Sequence, residues 1–388
     1  MFKCDSKLKL IHTKNNNTSK YAFVLCVFKD YLYLLGALAC AYSLRLTKTN
    51  YDIVCMVTND IDKNLLSIAT KLFDKIIEVP YLELDTIDLR TMKQRKMYSS
   101  WKNISITKWN CLGLYNYDKV LFIDADKIIL QNIDHLFELQ TPAGTFSSPH
   151  AQGYTKNGGM FNPYFNLQHG DIVSKNSIHT GLYGNEQGEH SFVVIGSMIL
   201  LSPSETIFNS FHNMLKQLQK SQFGFSLCNS GMDEQLIVYF YTYHLNNKHT
   251  WTYISQKYNF IAWDYMWIRS HEYPPHVLHF FGTKPWILNR NEWLDLEIWW
   301  TYVTNMLNNN YFEKEQHKLL IKLYNSNNNN LKESHNKGCF YCKLYKRKWK
   351  EHNFINYNCN IKCPSYIEEN KKLSILYYNN NNNDINTN

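Results

Sequence analysis

Short apolar runs of strand length alternate with helix-like segments along the first third of the chain. Four such runs, nearly free of polar residues, lie at 21–28, 52–58, 76–79 and 120–123. Segments with apolar residues at helical spacing lie before or between them, at 34–46, 65–73 and 104–114. Continuous apolar strands are typical of a sheet covered on both faces. The alternation therefore predicts an α/β fold in which crossover connections join the strands.

The pattern changes further along the chain. Residues 147–190 are rich in Gly, Asn and His without clear periodicity, as in a functional loop or a disordered segment. An apolar strand follows at 192–201, and residues 202–205 (SPSE) then predict a capping box with Pro at the first helical position. The asparagine runs at 327–330 and 379–383 are too polar to pack a core, so we expect disordered insertions there.

The length and charge of the chain limit the classes of function. Its 388 residues, 44% of them hydrophobic, are enough for one large domain or two medium ones. The net charge of +8 is uneven, because the segment from Leu331 onward holds ten Lys and Arg against five Asp and Glu. The mildly basic remainder suits an anionic small molecule as well as nucleic acid. Nucleic-acid binding by the body of the protein is therefore weakly supported.

Targeting signals and cysteines indicate a compartment. The first twenty residues are polar and basic, without the apolar stretch of a signal peptide. No run of eighteen or more apolar residues occurs, so we expect no membrane span and a cytoplasmic location. The ten cysteines are then interpreted as reduced thiols or metal ligands rather than disulfides. Four lie in apolar segments and are expected in the core: Cys26, Cys40, Cys55 and Cys111.

A pair of carboxylates follows the apolar run at 120–123. Asp124 and Asp126 flank Ala125 at the carboxyl end of that strand, which is where α/β sheets bind ligands. Oxygen ligands of this kind hold Mg²⁺ or Mn²⁺, and such a metal bridges phosphates and neutralises charge on a departing diphosphate. An ordinary strand-to-loop turn also places two carboxylates in this way, so the pair is weak evidence when taken alone.

A second motif at 279–286 (HFFGTKPW) is more specific. His279 offers an imidazole ligand, which favours Mn²⁺ over Mg²⁺. Gly282 removes a side chain where backbone approaches phosphate, and Lys284 supplies a positive charge. The alternative is an ordinary strand and turn. With the carboxylate pair, the motif predicts a metal-bound diphosphate and a metal-dependent glycosyltransferase that uses a sugar nucleotide.

These motifs resemble those of glycosyltransferase family 8, the glycogenin and galactinol synthase group. The resemblance covers roughly 21–286 and rests on Tyr33 with Gly36-Ala37, on 105–108 (SITK), on 121–126 (LFIDAD), on 233–235 (DEQ) and on 279–286. It implies a GT-A type, Rossmann-like fold with a mixed, mostly parallel central sheet, and retaining, Mn²⁺-dependent transfer. The expected organisation is a polar tail at 1–20, a transferase domain at 21–310 that includes the 147–190 loop, and a basic, Asn-rich, Cys-containing region at 311–388.

The resemblance also implies roles for individual residues. The metal ligands are Asp124, Asp126 and His279, and the nucleotide or its phosphates are contacted by Tyr33, Lys108, Ala125, Gly282 and Lys284. Lys284 would also stabilise the leaving UDP, while Glu234 and Gln235 would lie beside the donor sugar and stabilise developing positive charge. Two departures concern the sugar. Residues 195–197 (IGS) lack the Asn usual there, and only one residue separates Gly282 from Lys284.

The C-terminal region holds two cysteine pairs. Their spacing is close to that of a four-cysteine zinc site, although the second pair is one residue too wide: Cys339, Cys342, Cys359 and Cys363. Free cysteines are the alternative to a structural Zn²⁺.

The function predicted first is a retaining transferase that moves a hexose from a UDP-sugar to a hydroxyl of a protein, glycan, polyol or lipid acceptor. A nucleotide-sugar-binding protein without transferase activity, with the C-terminal region as its interaction module, is the second possibility. A metal-dependent phosphohydrolase is the third. Relatives of this kind often dimerise, so a homodimer is compatible with the sequence.

Overall fold

The structure of the protein is a computed structural model. It describes residues 5, 7–14, 19–84, 92, 95, 99–147, 153–154, 160–162, 165–178, 192–220, 232–245, 251–262, 275–282, 284–287, 294–308 and 312–329. The four cysteines of the predicted zinc site and the asparagine run at 379–383 lie outside the described residues.

A mixed nine-stranded sheet organises the described part of the chain. Its strands, in spatial order, are β1 (Lys9–Thr13), β4 (Lys75–Glu78), β3 (Asp52–Val57), β2 (Tyr21–Val27), β5 (Lys119–Ile123), β12 (Val193–Leu201), β7 (Ala143–Ser147), β13 (Trp251–Tyr253) and β11 (Ile172–Val173). Six of the nine strands run in one direction, and only β1, β12 and β11 run against them. The predicted mixed, mostly parallel sheet is confirmed.

Helices cover both faces of this sheet. The α-helices are α1 (Leu32–Leu46), α2 (Lys63–Leu72), α3 (Glu205–Lys220), α4 (Met232–Tyr239), α5 (Leu294–Asn308) and α6 (Lys314–Asn329). One apolar cluster lies on the face covered by α1, α2 and α5, and a second lies on the face covered by α3 and α4. Because both faces are buried, β2 and β3 have almost no polar residues, as the apolar runs predict.

Two short sheets stand beside the central one. The first joins β14 (Phe260–Ile261), β15 (Val277–His279) and β6 (Lys127–Ile129) just beyond the carboxyl end of β5. The second joins β8 (Gly153–Tyr154), β9 (Met160–Asn162) and β10 (Phe165–Leu167). The second sheet gives regular structure to part of the segment at 147–190, which the sequence predicts to be a loop.

Several elements differ from the sequence prediction. The segment before β5 is a 3-10 helix, Ser105–Gly113, rather than an α-helix. The helix α3 begins at Glu205, and the Ser204 hydroxyl accepts from the Ile207 amide at 3.2 Å, so the N-cap lies two residues later than predicted. The strand β1 falls within the expected tail at 1–20, where it pairs with β4 at the sheet edge.

The packed unit also extends past the predicted boundary at residue 310. Helix α6 follows that boundary, and its Leu320 is fully buried in the same core as α1. Lys71 of α2 forms an ion pair with Glu313 at 2.7 Å. The helix includes 327–329 of the first asparagine run, where we expected disorder.

Two other predictions concern cysteines and membranes. The thiols of Cys26, Cys40, Cys55 and Cys111 are buried and unpaired with one another, as predicted for core residues. Burial raises the pKa of the Cys111 thiol to about 12, so it is unreactive at neutral pH. Within the described ranges, none of the helices combines the length and apolar character that crossing a bilayer requires.

Candidate active site

The two sequence motifs meet at the carboxyl end of β5. Asp124 follows the last residue of that strand, and its amide donates to the Ser197 carbonyl of β12 at 2.9 Å. The chain then turns through Ala125 and Asp126 into β6, which pairs antiparallel with β15. Because β15 ends at His279, this pairing brings the second motif beside the carboxylates. The Phe280 amide donates to the Asp126 carbonyl at 2.9 Å and fixes the junction.

Asp126 lies at the centre of the site. Its side chain is 5% exposed, its Oδ2 contacts the Lys284 ammonium at 2.5 Å, and its Oδ1 lies 3.5 Å from His279 Nε2. Burial acts to raise the pKa of Asp126, but the neighbouring Lys284 and His279 hold it well below the ordinary value. Oδ1 is buried and has no hydrogen-bond partner among the described residues. A buried carboxylate oxygen of this kind is ready to bind a cation.

His279 supplies the second metal-ligand atom. Burial, together with Lys127, lowers the pKa of His279 to about 4, so its imidazole is neutral at pH 7. Two ligands of one octahedral Mg²⁺ or Mn²⁺ ion lie about 3 Å apart, so Asp126 Oδ1 and His279 Nε2 fit a divalent cation. Among the described residues no three His, Cys, Asp or Glu side chains are grouped as metal ligands. The structure therefore joins two of the three predicted ligands.

Asp124 faces Lys108 instead. Its side chain is one-third exposed, with Oδ1 3.4 Å from the Lys108 ammonium. That ammonium also contacts Asp233 and donates to the Gly196 carbonyl at 3.1 Å. Burial and the Asp126 carboxylate raise the pKa of Asp124 to about 6, against the lowering effect of Lys108. The structure thus places Lys108 among carboxylates, and its contact with the nucleotide stays a prediction.

Glu234 and Gln235 lie in the first turn of α4, and Glu234 packs against β12. A Cβ added at Gly196 would lie 2.2 Å from Glu234 Cγ, so the glycine makes room for this side chain. Burial and the Asp233 carboxylate raise the pKa of Glu234 to about 8, and the carboxyl keeps its proton at neutral pH. Gln235 is 2% exposed. Glu234 therefore packs directly against Gly196 of β12.

The turn after His279 is held by aromatic packing. Gly282 has φ +88°, a left-handed conformation that favours glycine. Pro285–Ile287 is a single 3-10 turn that buries Trp286. The indole contacts the Tyr33 ring edge-on at a centroid distance of 5.0 Å. A Cβ added at Gly36 of α1 would lie 2.4 Å from Trp286 Cζ3 and 2.8 Å from the Ala125 carbonyl. Gly36 therefore lets Trp286 and Ala125 pack against α1.

Sequence reasoning missed two charged residues of this site. Asp233 contacts Lys108, yet the motif at 233–235 drew attention only to the residues that follow it. Lys127 is fully buried directly after Asp126. A lysine that opens a buried apolar strand, here 127–129, is the signal that could have identified it.

Solved structures of glycosyltransferases resemble this chain at low identity. The glycosyltransferase GlyE of Streptococcus pneumoniae matches at 15% identity over 83% of this chain and 66% of that chain, with a TM-score of 0.40. The galactosyltransferase LgtC matches at 16% identity over 73% of this chain and 95% of that chain, with a TM-score of 0.41.

Sequence comparison finds relatives that match part of the chain. An uncharacterised protein of Acanthamoeba polyphaga mimivirus is 35% identical over 34% of this chain and 45% of its own length. Human glycogenin-2 is 29% identical over 47% of this chain and 37% of its own length. UDP-glucuronate:xylan alpha-glucuronosyltransferase 1 of Arabidopsis thaliana is 30% identical over 38% of this chain and 19% of its own length. The matches thus span less than half of each relative. Residues 23–180, which include the carboxylate pair, match the model of Glycosyl transferase family 8, so this segment of the chain is similar to that family.

Proposed function

We propose that the protein is a retaining hexosyltransferase that moves a hexose from a UDP-sugar to a hydroxyl acceptor with the help of Mn²⁺. The observation that carries this proposal is the meeting of Asp126, His279 and Lys284 at one point. A buried carboxylate oxygen and a neutral imidazole nitrogen lie 3.5 Å apart, with an ammonium 2.5 Å from the same carboxylate. Carboxylate and imidazole ligands suit a divalent cation, and an ammonium neutralises the charge of a diphosphate.

One group of residues would act on the diphosphate of the donor, and a second group would act on its sugar. Asp126 and His279 would hold the cation, with Asp124 as the third ligand that the family resemblance implies. The bound cation neutralises charge that builds on the departing diphosphate. Lys284 supplies a second positive charge for the same oxygens and is held in place by the packing of Trp286.

At the sugar end, Glu234 lies against the strand β12, and the neighbouring Gln235 is buried. Protonated Glu234 offers a hydrogen-bond donor, and the Gln235 amide adds a neutral dipole. In a retaining reaction the acceptor oxygen bonds to the anomeric carbon on the face that UDP leaves. The bond from that carbon to the diphosphate oxygen breaks, and the departing oxygen takes the acceptor's proton.

Release of UDP from a panel of UDP-sugars, with and without Mn²⁺, tests the proposal. We expect Mn²⁺-dependent release that falls at least about a hundredfold in Asp126→Asn, because the substitution removes a charged metal ligand. Asp118→Asn is the matched control, since its side chain is 64% exposed and pairs only with Lys20 among the described residues.

Two outcomes contradict the proposal. Mn²⁺-dependent UDP binding without release from any sugar would identify a binding protein. Formation of UMP and a sugar phosphate would identify a phosphohydrolase.

A further inference from the structure

Lys127 is fully buried beneath the candidate site and exposes none of its side chain to solvent. It follows Asp126 directly, opens β6, and its backbone pairs in register with His279 of β15. The residue is therefore joined along the backbone to one predicted metal ligand and across the sheet to another. Since its side chain is 0% exposed, its ammonium reaches no ligand in the cleft. Its effect on the chemistry is therefore indirect, through the placement and electrostatics of the residues around it.

The partners of the Lys127 ammonium are neutral and buried. It donates to Ser197 Oγ at 3.2 Å and to Asn259 Oδ1, and Ser197 Oγ also donates to Asn259 Oδ1 at 3.2 Å. The Asn259 amide then donates to Thr145 Oγ1 of β7 at 2.7 Å. All four side chains are at most 4% exposed. This set, Lys127, Ser197, Asn259 and Thr145, forms a closed polar network under the site.

The network reaches each of the three predicted metal ligands through the backbone. The Ser197 carbonyl accepts a hydrogen bond from the Asp124 amide, while Lys127 follows Asp126 in the chain. Asn259 precedes β14, whose Ile261 pairs with His279. One buried ammonium therefore connects the segments that carry Asp124, Asp126 and His279. A site for a metal-bound diphosphate requires its ligands to be held within about 0.5 Å.

Burying an ammonium against neutral groups is costly, so the fold gains little stability from it directly. We propose that Lys127 is a positioning residue of the donor site, which sets the relative placement of the Asp126 carboxylate and the His279 imidazole. This inference rests on the proposed function, and concerns a residue that never contacts the substrate. An apolar side chain of similar length would fill the same volume but remove the ammonium that donates to both Ser197 and Asn259.

Binding of UDP to the full chain tests the role, measured by calorimetry in the presence of Mn²⁺ beside the melting temperature. We expect Lys127→Met to weaken UDP binding at least about tenfold, because the ligands lose their fixed placement. Lys75→Met is the matched control, since Lys75 is also buried and lies at the opposite end of the sheet. It should lower the melting temperature and leave the UDP affinity within about twofold.

A graded variant keeps the test decisive if Lys127→Met does not fold. Thr145→Val has nearly the same shape and removes only the acceptor of the Asn259 amide, so we expect UDP binding about threefold weaker in a folded chain. UDP affinities within about twofold of the unsubstituted chain for the folded variants would overturn the inference while leaving the proposed function intact. If the unsubstituted chain binds neither Mn²⁺ nor UDP, the proposed function is wrong and the inference falls with it.

Discussion

The two ends of the central sheet both bury charge, but they pair it differently. At the amino ends of β3 and β4, the Lys75 ammonium contacts Asp52, and the Tyr117 hydroxyl donates to the same carboxylate at 2.7 Å. At the carboxyl end of β5, Asp126 contacts Lys284, yet its Oδ1 has no hydrogen-bond partner within the part of the chain that the structure describes.

Burial is similar at the two ends, so burial alone does not distinguish a structural ion pair from a binding site. The Asp52 side chain is 14% exposed and the Asp126 side chain is 5% exposed. What differs is the pairing and the protonation. At the carboxyl end burial contributes to a pKa of about 6 for Asp124 and about 8 for Glu234, and Asp126 Oδ1 has no hydrogen-bond partner among the described residues. Incomplete hydrogen bonding of the buried carboxylates therefore supports the proposal that ligand binds at this end of the sheet.

Breaking the ion pair between Lys75 and Asp52 should have the largest effect on stability. Lys75→Met leaves Asp52 buried without its cation, and we expect the free energy of unfolding to fall by about 3 kcal/mol. Urea denaturation measures the change, with Lys63→Met, at an exposed position of α2, as the control. A loss below about 1 kcal/mol would show that the pair at this end is no more structural than a surface ion pair.

Removing the Lys284 ammonium, at the carboxyl end of β5, should instead change ligand affinity. The affinity for UDP should fall, and the affinity for Mn²⁺ alone should rise. Lys284→Met removes a positive charge from the proposed diphosphate site, so we expect UDP to bind about tenfold more weakly. This is a loss of about 1.4 kcal/mol in binding free energy. The same change removes a competing cation from Asp126, so Mn²⁺ alone should bind several-fold more tightly. Titration with Mn²⁺ in the absence of UDP measures the second effect, and weaker Mn²⁺ binding would contradict it.

A third group, of three histidines around the buried Tyr258, sharpens the comparison because its side chains are neutral. His135, His169 and His276 surround Tyr258, with His135 Nε2 2.7 Å from the Tyr258 hydroxyl. Burial and the nearby Lys257 lower the pKa of His276 to about 4, below its ordinary value of 6.5. The unfolded chain therefore binds more protons between these values, and stability falls as the pH drops from about 6.5 to about 4.

The expected loss is on the order of 1 kcal/mol for His276 after allowance for solvent screening. Unfolding of the unsubstituted chain and of His276→Phe should be compared at pH 7 and pH 5. The variant should lose less stability over this interval, since it has no imidazole to protonate. An equal loss in both chains would mean that His276 is not part of the acid-sensitive group.

Local sequence was sufficient for the elements with strong patterns. The apolar runs located β2, β3, β4 and β5, because a strand buried on both faces requires almost every residue to be apolar. The edge strand β1 was missed, since a short and partly exposed strand has no such pattern. The 3-10 form of 105–113 was also missed, because α and 3-10 helices share nearly the same apolar spacing.

The sequence by itself determined the chemical groups of the site: two carboxylates after a strand, and a His, a Gly and a Lys in one short motif. Only the tertiary structure decided their partners. Lys284 meets Asp126 across 158 positions of sequence, and Lys127 meets Ser197 across 70. Such contacts depend on the order of strands in the sheet and on the register between β6 and β15. Local patterns specify which face of a strand is buried, but they carry no information about which distant strand lies beside it.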